Sequence, residues 1–396
     1  MPPSTASTRR TFLRTTIAAG TLGLAGCDAT DDICGDDAVE FESTVTDVTD
    51  RSLESRPEGA GWPLQNQSGD YRRVTDASGP RTNVGRFWRA DSISPQAAID
   101  DGRLYLISDD GRVLVADPAT GEIMAEYDQL RRPRDVGVVG PPDNRTLIVT
   151  GQDGLHALTP DTSRRQFRLS GGDFFSIAGD DESVYTTGNR SIQAIDLASG
   201  SRRWRLDGLH DDGPIANGIV LADTDSGLRA YDTETGEVVW TRRNIYVYSS
   251  LCIADETVYA GVLGNVLALS LADGTTDWKF GGEAESFEVP AVTDDTIIAA
   301  SSTTEGGGGN VYALDRATGE HRWCAALGYR DLGSAAVADG VAYVAGDDLV
   351  QARNISDGSI LWTHHAEEGY YRAPLVSGDA LYVPNENGWV DAFGEL

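Results

Sequence analysis

The sequence predicts an all-β fold built from eight four-stranded units, on three observations. A phrase recurs about every 40 residues, short runs alternate apolar and polar positions with a period of two, and glycine-containing pairs punctuate the runs. Units of that size and strand count are propeller blades, so the expected architecture is an eight-bladed β-propeller.

The phrase is clearest at Ala313-Leu314-Asp315-Arg316-Ala317-Thr318-Gly319-Glu320-His321-Arg322-Trp323, which reads Ala-x-Asp-x-x-Thr-Gly-x-x-x-Trp. Ala194-Ile195-Asp196 with Ser199-Gly200 and Trp204 repeats it, as does Ala230-Tyr231-Asp232 with Thr235-Gly236 and Trp240. Looser copies run from Ala268 through Asp273-Gly274 to Trp278, and from Ala352 through Asp357-Gly358 to Trp362. Degenerate ones fall at Ala116-Asp117 with Thr120-Gly121, and at Ala157-Leu158 ending on Phe167. The widest gap, from Trp278 to Trp323, holds an insertion at 301–309 with four consecutive glycines.

Each unit divides into four strands. The first opens near Pro95, Asp135, Phe175, Pro214, Ser249, Pro290, Ser334 and Pro374 in turn. The third carries the Ala-x-Asp step and the fourth the tryptophan. Between them Asp-Gly, Asn-Gly or Thr-Gly pairs supply the positive φ of hairpin turns. Trp88, Trp204, Trp240, Trp278, Trp323 and Trp362 are expected to pack between neighbouring blades while each indole N–H finds a backbone acceptor. The last unit stops after its third strand, at Ala392-Phe393-Gly394-Glu395-Leu396, and an unmatched strand, Val84-Gly85-Arg86-Phe87-Trp88-Arg89, precedes the first. Pairing the two would close the ring and leave no open radial edge.

The N-terminus reads as an address. Thr8-Arg9-Arg10-Thr11-Phe12-Leu13-Arg14 fits a twin-arginine export signal, and the apolar run 15–26 ends in Leu24-Ala25-Gly26-Cys27, which resembles a lipobox. Residues 1–26 are therefore expected to be a signal peptide, with Arg9 and Arg10 read by the export machinery and Cys27 lipidated. Residues 27–60 are expected to be an acidic flexible tether and 61–396 the propeller.

The formal charge is -30, from 62 acidic and 32 basic residues, and Lys279 is the only lysine. So negative a field argues against nucleic acid as a partner. Lysine scarcity with a pI near 4.3 resembles the proteins of extreme halophiles, and a haloarchaeal source is expected. With Cys27 lipidated, Cys34, Cys252 and Cys324 are an odd three, read as buried free cysteines rather than a disulfide framework.

Over residues 85–396 the repeated phrase resembles that of pyrroloquinoline-quinone (PQQ) propellers. Trp62-Pro63-Leu64-Gln65 resembles the lead-in segment before the first blade in that family. The resemblance implies one of two functions. Quinoprotein alcohol or sugar dehydrogenases hold PQQ and Ca²⁺ in the channel. BamB-like lipoproteins are noncatalytic eight-bladed scaffolds, and this chain shares their lipobox, blade count and closure. The cysteine pair common in the dehydrogenases is absent, and Asp223-x-Asp225-x-Gly227 lacks the downstream glutamate of a calcium loop and reads as a turn. His156, His210, His321, His364 and His365 show no metal-ligand spacing. The expectation is a noncatalytic binding scaffold for envelope proteins or glycans, with no catalytic residue, cofactor or metal. The segments leading into the first strands are rich in aromatics and arginines, the types that anchor interfaces. Arg132, Arg134, Phe175, Tyr246, Tyr248, Tyr329, Arg330, Tyr371 and Arg372 are therefore the candidate partner-binding mouth.

Overall fold

In the computed structural model the described residues are 34, 42–48, 51–53, 61–64 and 68–396, apart from 161–163, 189, 208, 246, 248–250, 282–284, 304–308, 329–331 and 367–368. Among them there is no helix; every regular element is a strand. Eight antiparallel sheets follow one another along the chain, and the first strands of successive sheets lie against each other around a common centre. This is the eight-bladed propeller. Blade 1 comprises Ile93–Asp100, Arg103–Ser108, Val113–Ala116 and Ile123–Tyr127, and blade 2 begins at Pro133–Val139. Blades 3 to 7 open at Ala178–Gly179, Leu209–Ala216, Leu251–Ala254, Ala291–Val292 and Ala336–Ala338.

Blade 8 consists of Leu375–Ser377, Ala380–Asn385, Trp389–Glu395 and, as its outermost full strand, Val84–Asp91. The closing pair is antiparallel from Val84 opposite Glu395 to Asp91 opposite Trp389, with a β-bulge at Phe87 that shifts the register between Arg86 and Trp88. Arg89 Nε and Nη2 each donate to the Asp391 carboxylate at 2.7 Å. Asp391 has no exposed surface, so the two ends of the ring are joined by a buried ion pair as well as a ladder.

The repeated phrase now has a physical meaning. In blade 6, Asp315 Oδ1 accepts from the backbone N–H groups of Ala317 and Thr318 and caps the turn. Gly319 then turns at φ +73°, where a Cβ would lie 2.5 Å from the Trp278 ring of blade 5. The glycine is needed twice over, for the left-handed backbone and for the close approach. The Trp278 indole donates to the Arg316 carbonyl at 3.1 Å, beside that turn. The same bond recurs from Trp88 to Pro118, Trp204 to Thr233, Trp240 to Leu271, Trp323 to Ile355 and Trp362 to Pro80. All six expected tryptophans therefore bridge one blade to the next, and Trp88 carries the chain of bridges across the closure.

Two expectations about the N-terminal arm need correction. Part of the stretch expected to be a free tether is docked. Thr46–Asp47 pairs in parallel with Gly85 and Arg86 outside blade 8, the Thr44 N–H donates to the Thr363 carbonyl of blade 7, and Val48 and Leu53 are buried. Its apolar side chains find a groove between blades, and burying each is worth about 1.5–3 kcal/mol. The cysteines are not all free, either. Cys34 and Cys324 form a disulfide across 290 residues of sequence, and among the described residues Cys252 is the one free thiol, buried. An odd count permits one pair and a remainder, and the fold brings the outer strand of blade 6 beside the arm. Cys27, Arg9 and Arg10 lie outside the described residues.

Candidate functional site: one open mouth of the channel

Residues 62–64 and 68–79 pass around the inside of the ring and touch every blade in order. Trp62 exchanges backbone hydrogen bonds with Ile99 of blade 1, and the Pro63 carbonyl accepts from Val138 of blade 2. Gly69 lies against Gly179 of blade 3 while its carbonyl accepts from Ile215 of blade 4. The carbonyls of Asp70, Arg72 and Arg73 accept from Ile253, Val292 and Val337 of blades 5, 6 and 7, and Gly79 donates to Gly378 of blade 8. All these partners are at the distal ends of the first strands. At that end the channel is occupied by Trp62, Leu64, Tyr71 and Arg73, all buried. Arg73 has no exposed surface; its guanidinium lies 5.3 Å over the Trp62 ring and donates to the carbonyls of Ala335 and Pro374. Burial lowers its pKa to about 9, opposed by the Glu288 carboxylate.

The other end receives the connections into the first strands. A cavity of about 340 Å³ opens there between Gln96, Glu288, Ser334, Arg372, Leu375 and Glu386. A second concavity, of about 570 Å³, lies to one side between Asp109, Asp110, Leu130, Arg131 and Arg132. Phe175, Leu263 and Tyr370 expose large apolar surface on this face, at 45%, 68% and 48%. The Arg134 guanidinium lies 4.9 Å over the Phe175 ring and pairs with Asp173 at 3.2 Å, holding both side chains at the surface.

Four predicted mouth residues, Arg132, Arg134, Phe175 and Arg372, are exposed on this face, and Arg372 pairs with Glu386. Tyr371 is not part of it. It is 1% exposed and its hydroxyl donates to Asp391 at 2.5 Å, so it braces the closing ion pair. The backbone bridge from Tyr371 to Asn385 turns alternate side chains to opposite sides, which leaves Tyr370 as the exposed ring. Tyr246, Tyr248, Tyr329 and Arg330 lie outside the described residues. Sequence reasoning passed over Leu263, on a hairpin turn, and Glu288 and Glu386, which carry no motif.

Successive overlapping segments, 109–219, 189–336 and 263–394, match the family described as outer membrane protein assembly factor BamB. The chain belongs to this family. Among solved structures it is similar to BamB of Moraxella catarrhalis, at 20% identity and a TM-score of 0.61, covering 78% of this chain and 99% of that one. It is also similar to the quinohemoprotein alcohol dehydrogenase of Comamonas testosteroni, at 14% identity and a TM-score of 0.65, covering 85% and 80%. These likenesses show the fold. A curated relative, the serine/threonine-protein kinase AfsK of Streptomyces coelicolor, is 26% identical over 168 residues, and the match spans 20% of the kinase's length.

Among the described residues the cavity lining sets Glu288 and Glu386 beside Arg372, which pairs with Glu386. Among the described residues no three His, Cys, Asp or Glu side chains gather where they could hold a metal ion. The arrangement offers a rimmed recess with planar cations and exposed rings, which is the chemistry of recognition.

Proposed function

We propose that this protein is a noncatalytic lipoprotein, exported under a signal that includes Arg9 and Arg10 and anchored through Cys27 on the extracytoplasmic face of the cell membrane. Its propeller acts there as a binding scaffold for an envelope protein or glycan. The observation that carries the reading is the asymmetry of the channel: residues 62–64 and 68–79 occupy one end, and the other end presents Arg132, Arg134, Phe175, Tyr370 and Arg372 at the surface. An exposed arginine–aromatic pair is already ordered, so binding there costs little additional side-chain entropy.

The test is the quadruple variant Arg134→Glu, Phe175→Ala, Tyr370→Ala, Arg372→Glu. It should melt within a few degrees of the parent and lose partner capture from native membranes. Unchanged capture by the folded variant would rule the mouth out. Adding PQQ and Ca²⁺ and assaying dye reduction with alcohols tests the dehydrogenase alternative, and turnover would reject the noncatalytic reading.

A further inference from the structure

We infer that the Cys34–Cys324 disulfide clamps the N-terminal arm to the rim of blade 6, so that a lipid on Cys27 holds that rim against the membrane. The inference rests on the lipidation reading of Cys27 and adds an orientation to it.

Cys324 lies in His321–Ala326, the outermost strand of blade 6, beside Trp323, whose indole reaches toward blade 7. Alternation along the strand turns Cys324 the other way, toward blade 5. There the disulfide packs on the cluster that includes Trp278, Phe280 and Tyr312, with the Phe280 and Tyr312 rings 5.2 Å apart. Cys34 is thus covalently fixed at the seam of blades 5 and 6, on the outside of the ring. Cys252 does not compete for the bond, because it is fully buried in the first strand of blade 5 and burial pushes its thiol pKa up.

The lengths decide what this does. Seven residue steps separate Cys27 from Cys34, and a fully extended chain spans at most about 3.6 Å per residue, so the lipid is held within roughly 25 Å of that seam. Without the disulfide the first described attachment is Ser43 and Thr44, which bond to the Thr363 carbonyl of blade 7. Sixteen steps from Cys27 then allow roughly 55 Å, enough for several faces of the propeller to reach the bilayer. The disulfide therefore converts a long leash into a short one at a chosen point on the rim. Held by its rim, the propeller keeps its open mouth beside the membrane rather than pressed onto it.

The experiment uses the full-length protein in its native membrane, with a site-specific protease site placed between Cys34 and Glu42. The uncut protein should sediment with membranes and the Cys27→Ala variant should not. If the uncut protein is soluble, the lipidation reading fails, and this inference with it. With lipidation established, the cut protein should stay membrane-bound until dithiothreitol reduces the disulfide; release on cutting alone overturns the clamp. In a second arm, donor dyes at Asp277→Cys on the outer strand of blade 5 and at Met124→Cys on that of blade 1 transfer energy to an acceptor lipid. Transfer should be at least twofold higher from position 277, with the difference lost on adding Cys34→Ser. Equal transfer from both positions with the native disulfide intact would overturn the orientation.

Discussion

Removing the Asp391 carboxylate should weaken the whole ring, because the residue joins the last strand to the first. Asp391 is fully buried, accepts two hydrogen bonds from Arg89 and one from Tyr371, and lies 3.7 Å from Arg86. Breaking a buried ion pair by removing one partner costs about 3–5 kcal/mol. Here the two arginine side chains keep 31% and 23% of their surface, so water can rehydrate them and the cost falls to about 2–3 kcal/mol. Asp391→Asn keeps the shape and loses the charge. For a domain of this size 1 kcal/mol corresponds to about 2 °C, so Tm should fall by about 5 °C in a scanning-calorimetry melt at fixed salt. In a double-mutant cycle with Arg89→Met the two losses should be strongly non-additive. A shift under about 1 °C, or strict additivity, would show that this pair does not lock the closure.

Two further perturbations probe the blade contacts and the buried histidines. Gly319→Ala meets both a left-handed backbone and the Trp278 ring at 2.5 Å, whereas Gly102→Ala meets only a φ of +66° with nothing within 4 Å. The first should cost about 2 kcal/mol more than the second, since only it displaces a packed ring; equal melts would contradict the docking role of the Thr-Gly turn. Burial lowers the pKa values of His156 and His364 to about 4. Their neutral forms therefore stabilise the fold fully above the unfolded value near 6.5, and that contribution is lost as pH falls toward 4. Tm should drop between pH 6.5 and 5 with a slope that His156→Gln with His364→Gln reduces, and a slope unchanged in the folded double variant would show that other groups carry it.

Much of the fold was legible because a propeller writes its contacts locally. The Asp, the Gly and the Trp of the phrase serve a cap, a turn and an interblade bond within about a dozen residues, and the incomplete last unit pointed to Val84–Asp91. The path of residues 62–64 and 68–79 was not legible. It reaches successive blades chiefly through backbone carbonyls, those of Pro63, Gly69, Asp70, Arg72 and Arg73, and a backbone carbonyl leaves no side-chain pattern. Nor could spacing reveal Cys34 with Cys324, because only the assembled ring brings a rim strand beside the arm. At the mouth, composition pointed to Tyr371, and only strand alternation separates that buried ring from the exposed one of Tyr370.

In the proposed function, partners meet this protein at the open end of its channel. Photo-crosslinking amino acids at Phe175 and Tyr370 in cells, compared with one at Met124 on the rim of blade 1, test it most directly. A discrete adduct, identifiable by mass spectrometry, is expected from the two mouth positions and none from the rim. Adducts from the rim alone, or the same adducts from all three positions, would contradict it.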